Sequence, residues 1–86
     1  MAKTSQREAV CLGVVHGLRA ERLRQGLSMD RLAERAGLSQ GAISLVERDL
    51  RNPTLDTLLR IAEVLEVDLG KLIQKALRNA RTPVGS

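Results

Sequence analysis

The stretch MDRLAERAGLSQGAISLVER, Met29 to Arg48, decides how the rest of this chain is read. Leu32, Ala36, Leu38, Ile43 and Val46 recur at spacings that let two short helices share one core. Ala33 is small where the second helix would cross the first. Gly37 falls where the first helix must end, at a position that favours a left-handed backbone and makes a Cβ costly. Ser39 follows as an N-cap for the second helix. The stretch therefore predicts helices over about Met29 to Ala36 and about Gln40 to Arg48, joined by a tight turn.

Working outward toward the N-terminus, Ser5-Gln6-Arg7-Glu8 fits a capping box, with Ser5 as N-cap and Glu8 reaching back to its amide. A helical pattern runs from there to about Gln25, with Val10, Val14, Leu18 and Arg22 on one side. Gly13 and Gly17 interrupt it, and an interior glycine costs about 1 kcal/mol against alanine. The expectation is a kink, or a helix firm only over about Val14 to Gln25. Ala9, Gly13 and Gly17 make a small-residue stripe that suits close packing, either on a helix of the same chain or on a second copy. Gly26-Leu27 reads as a turn, and Ser28 caps the helix that begins at Met29, with Asp30 in its first turn.

Toward the C-terminus, Asp49 to Pro53 reads as a loop, because Pro53 biases Asn52 away from the helical region. Thr54 caps a fourth helix to about Leu65, whose expected apolar stripe is Leu55, Leu58, Leu59, Ala62 and Leu65. Asp68 caps a fifth, with Leu69, Leu72, Ile73, Ala76, Leu77 and Ala80 on one face. Lys75, Arg78 and Arg81 lie toward its C-terminal end, where the helix dipole favours cations. The organisation expected is an N-terminal extension over 1–13, partly helical, a domain over 14–81 and a tail over 82–86.

Composition narrows the function. The chain has 86 residues, suited to one domain, and contains no Phe, Tyr or Trp. Its core must be built from Leu, Ile, Val and Ala, which favours packed helices over a sheet. Missing aromatics also argue against modules that stack single-stranded bases on rings. A formal net charge of +4 suits an anionic partner. No apolar run is long enough to span a bilayer, and nothing resembles a signal peptide. The single Cys11 has no partner for an internal disulfide, so a reducing cytoplasm is expected.

Catalysis finds little support. His16 has Leu12, Gly13 and Ala20 within helical reach, none able to polarise it. It reads as a structural or exposed histidine, and Cys11 reads as a small packed residue. One His and one Cys do not supply a zinc site, and no phosphate-binding glycine loop is present. No enzyme activity, metal, cofactor or small-molecule ligand is expected.

Two short helices around a Gly37 turn are the helix-turn-helix layout, in which the second helix enters a DNA major groove. From Arg19 to Ile73 the chain resembles the XRE-type helix-turn-helix family, which includes Cro and lambda-type phage repressors and restriction-modification controller proteins. The strings that carry the resemblance are Arg19-x-x-Arg22, Gly26-Leu27-Ser28, Leu32-Ala33 and Ala36-Gly37-Leu38-Ser39-Gln40. Ile43-Ser44-x-Val46-Glu47-Arg48 and Arg51-Asn52-Pro53-Thr54-Leu55-x-Thr57-Leu58 complete them. The resemblance implies an all-α, compact five-helix lambda-repressor-like domain that binds double-stranded DNA, usually as a homodimer. It also implies a pairing of Arg22 with Glu47.

Base reading is then expected from Gln40, Gly41, Ser44 and Leu45. Gln40 can pair bidentately with adenine, and Ser44 offers one hydrogen bond. Gly41 brings the backbone close, while Leu45 departs from the family in being apolar and suits a thymine methyl or a protein interface. Phosphate contacts are expected from Arg48, Arg51 and Asn52, and from the amide ends of the second and fourth helices at Met29, Thr54 and Leu55. Met29 also departs from the family, which commonly has Gln there. Arg24, Arg31 and Arg35 read as solvated surface charges, and Arg60, Lys71, Lys75, Arg78 and Arg81 as lying on the helix-five side. The whole reads as a transcriptional regulator dimerising through helix five on a two-fold symmetric site. The alternative is a protein-interaction module, such as an antitoxin-like subunit, that keeps the fold as a scaffold.

Overall fold

A computed structural model describes residues 5–48 and 52–81, the side chain of Arg81 apart. The expectations for Asp49, Leu50, Arg51, the side chain of Arg81 and the tail lie outside these residues. Five helices follow one another: α1 Gln6–Arg24, α2 Met29–Ala36, α3 Gln40–Glu47, α4 Leu55–Leu65 and α5 Leu69–Arg81. The fold is the all-α, lambda-repressor-like arrangement.

Every helix start carries the cap expected of it. The Glu8 amide donates to Ser5 Oγ at 3.0 Å and the Ser5 amide to Glu8 Oε1 at 3.1 Å, closing the capping box. Ser28, Ser39 and Thr54 accept from the amides of Arg31, Ala42 and Thr57. Asp68 accepts from Lys71 at 3.2 Å. Each side-chain oxygen satisfies an amide that the helix itself leaves unpaired. Gly37 closes α2 at φ 71°, and the Leu38 amide reaches back to the Ala33 carbonyl at 2.9 Å. Glu66 closes α4 in the same left-handed conformation, at φ 57°, without a glycine to mark it in sequence.

Two sequence expectations are corrected. α1 is one helix across both Gly13 and Gly17, so their propensity cost does not break it. The reason is α5, which lies along the small-residue stripe. A Cβ at Gly13 would stand 3.0 Å from the Ala76 Cβ, and one at Gly17 would stand 2.9 Å from a Leu72 methyl. The stripe therefore serves packing within the chain. On α4 the buried residues are Ile61, Ala62 and Leu65, with Leu58 half-buried, while Leu55 and Leu59 are 63% and 50% exposed. Leu58, Ile61, Ala62 and Leu65 follow the helical spacing and face the core. Leu59 is about 100° round the helix from Leu58, and Leu55 lies in the first turn.

The stripe yields a test. Gly13→Val places two methyl groups against an Ala76 that has no torsion with which to move aside. Urea unfolding should show a loss of about 1–3 kcal/mol. Gly17→Ala meets only the tip of Leu72, which can rotate away, and it gains about 1 kcal/mol of helix propensity. Its stability should stay close to that of the parent chain.

The core runs through all five helices. Val15, Leu32, Ile43 and Leu65 are its most deeply buried large side chains, surrounded by Val14, Leu18, Val46, Ile61 and Leu69. α1 makes its most extensive contact with α5, while α2 packs between α3 and α4. Consequently α3 is held from below by Ile43 and Val46, and its opposite side is free of the core.

A candidate nucleic-acid interface on α3 and the start of α2

The free side of α3 begins with Gln40 and Gly41, both exposed. Ser44 and Leu45 follow, half-buried, and Arg48 is the exposed C-cap. The helix thus stops one residue short of the expected end, with Arg48 still on its outer surface. Segment 38–46 bears no charge, and Gln40, Gly41 and Ser44 offer one amide, bare backbone and one hydroxyl.

Beside it opens a cleft of about 260 Å³, lined by His16, Arg19, Arg22, Met29, Ser44, Glu47 and Arg48. The floor is the pair implied by the family. Arg22 Nε donates to Glu47 Oε2 at 2.6 Å and Arg22 Nη2 to Glu47 Oε1 at 2.9 Å. Arg22 Nη1 donates to the Leu27 carbonyl at 2.8 Å. Both side chains are 9% exposed, and the hydrogen bond to Glu47 holds the Arg22 guanidinium above its ordinary pKa. One arginine so ties α1, the α1–α2 turn and α3 together, which sets α3 against the rest of the fold.

The structure brings Met29, Ser44 and Arg48 to this one cleft and leaves other expected residues elsewhere. Asn52 is exposed and lines a separate cleft with Arg7, Glu8 and Cys11. The Thr54 hydroxyl accepts the Thr57 amide and donates to the Thr57 hydroxyl, both at 3.1 Å, so its proton is already used. Leu55 opens α4 with its side chain in solvent. Arg60 does not lie on the helix-five side. It pairs with Asp56 at 2.7 Å and donates to the Ala36 carbonyl at 3.4 Å, a cation at the C-terminal end of α2.

Sequence reasoning assigned no site role to two residues of the cleft, His16 and Arg19. The available signal was their spacing: they are three apart on α1, and Arg19 is three before Arg22, so all three share one side of the helix. Among the described residues no cluster of His, Cys, Asp and Glu could hold a metal, and no helix is long and apolar enough to cross a membrane.

These features define a helix-turn-helix domain whose second helix of the motif, α3, turns one side outward beside a basic cleft. The helix-turn-helix family model matches residues 18–72, and the chain belongs to this family, in its XRE-type form, whose members are DNA-binding transcriptional regulators. An uncharacterized HTH-type transcriptional regulator of Mycobacterium tuberculosis is 42% identical over 59 residues, covering 69% of this chain and 42% of the relative. The HTH-type transcriptional regulator PuuR of Escherichia coli is 35% identical over 65 residues, covering 73% of this chain and 35% of its own length. Against these two the chain spans less than half the relative's length. The control protein C.SmaI of Serratia marcescens is 36% identical over 76 residues, which are 81% of this chain and 90% of that protein. No solved structure matches the chain significantly.

Proposed function

We propose that this chain is a sequence-specific transcriptional regulator that binds double-stranded DNA as a homodimer on a two-fold symmetric operator. The observation that carries the reading is the uncharged, outward face of α3 standing beside a cleft rich in arginine. Gln40 and Ser44 read base edges, Gly41 lets the backbone approach, and Leu45 contacts a thymine methyl. Arg48, Arg51 and Asn52, with the amide end of α2 at Met29, hold the phosphates that set register. Likeness to a control protein over most of its length supports a small regulator of that kind. Two copies related by a two-fold axis present their α3 helices to successive major grooves, about 34 Å apart. Helix five supplies the contact expected between copies, and the exposed Leu55 and Leu59 of α4 give a second apolar face for it.

Selection from a random duplex library tests the reading, and an enriched site with two-fold symmetry is the expected result. Enrichment of no site overturns it. On the selected duplex, Gln40→Ala should relax preference at one base pair by about 1–3 kcal/mol. Arg48→Gln should weaken all duplexes alike and make the salt slope shallower by about 0.9 for each chain bound, about 1.8 for the dimer. Binding titrations at several salt concentrations separate the two effects.

A further inference from the structure

Two features of the α3 cleft are left unexplained by base reading. His16 and Arg19 reach it from α1, on the side opposite the recognition helix. Their charge environment is lopsided. Glu47 is the one carboxylate lining the cleft, and both of its oxygens already accept from Arg22. Arg19 Nε also pairs with Glu47 Oε1, at 3.6 Å, with a side chain 54% exposed. Arg48 has no carboxylate partner among the described residues. His16 is exposed, on the ridge between this cleft and a second groove that carries Lys75 of α5. The charged groups around it are Arg19 on its own helix, Glu47 and Arg48 on α3, Lys75 on α5, and Arg22 beneath. With Arg22 and Glu47 cancelling, what faces His16 is cationic, and α2 adds only the uncharged Met29. The cleft therefore carries a surplus of positive charge, and Ser44 of α3 lies in the same cleft.

We propose that His16, Arg19 and Arg48 form a binding site for one phosphodiester of the DNA backbone, and that filling it draws a proton onto His16. The inference rests on the DNA-binding reading above. A histidine changes charge between about pH 5 and pH 8, so binding that takes up a proton tightens as pH falls through that range. No base is touched, so the effect applies to every duplex sequence. The chain becomes a DNA binder whose occupancy follows pH through one side chain.

The probe is a short fluorescent duplex of random sequence, titrated at low salt near the two ends of that range and again at several salt concentrations. Affinity should be roughly tenfold higher at the acidic end. The salt slope should steepen there by about 0.9. His16→Gln should abolish the pH response. His16→Arg should bind tightly at both ends. Arg19→Gln should lose about 0.9 of slope throughout. His16 is the only histidine, so its imidazole carbon-bound proton signal in NMR is assigned without ambiguity. At near-neutral pH that signal should move toward its protonated position when duplex is added. Both substituted side chains are exposed, so circular dichroism should show the parent fold. If the parent chain binds duplex equally at both ends, or His16→Gln keeps the pH response, the site is overturned while the DNA-binding reading stands. If the parent chain binds no duplex at either end, both are overturned.

Discussion

Arg22→Ala is expected to cost about 3–5 kcal/mol, the range for removing one partner of a buried ion pair. The substitution leaves the Glu47 carboxylate inside the fold with only the half-exposed Arg19 at 3.6 Å, and it strips the Leu27 carbonyl of its donor. A domain of this length has roughly 4–13 kcal/mol in total, so the loss takes a large part of it. Thermal melting should shift down by roughly 12–40 °C. Replacing both partners with apolar residues, Arg22→Met with Glu47→Leu, should recover most of the loss, because no charge is then left buried. A single-variant loss below about 1 kcal/mol would mean that the pair behaves as an exposed one.

Ile43→Ala should cost about 2–5 kcal/mol, and Ile43→Val about 0.5–1.5 kcal/mol. Ile43 is fully buried on the inner side of α3, while Gln40 and Gly41 of the same helix are exposed. α3 has eight residues, too few to persist as a helix in water on its own. Its shape is therefore maintained by Ile43, Val46, the Ser39 cap and the Arg22–Glu47 pair. In denaturant melts the alanine variant should show the larger loss, and its DNA affinity should fall along with its stability. The valine variant should keep the parent's selected sequence, since no outward group changes. An altered preferred site in Ile43→Val would show that α3 is positioned less rigidly than this packing implies.

Sequence by itself determined the five helices, their caps and the turn at Gly37. Those features depend on neighbours a few residues apart: Ser39 finds the Ala42 amide, and Ser5 and Glu8 find each other. The fold class followed because the RNPTLxTL segment and the Gly37 turn are local strings too. Tertiary structure alone decided three matters. It decided which apolar side of α4 turns inward, because Leu55, Leu58, Leu59, Ala62 and Leu65 allow more than one rotation and the positions of α2, α1 and α5 select among them. It decided that α1 stays whole at Gly13 and Gly17, because α5 fills the space their missing side chains leave. And it joined Arg19 to Arg48 across 29 residues of chain, and His16 with them, in a cleft that exists only once α1 and α3 are packed, a proximity that no local periodicity encodes.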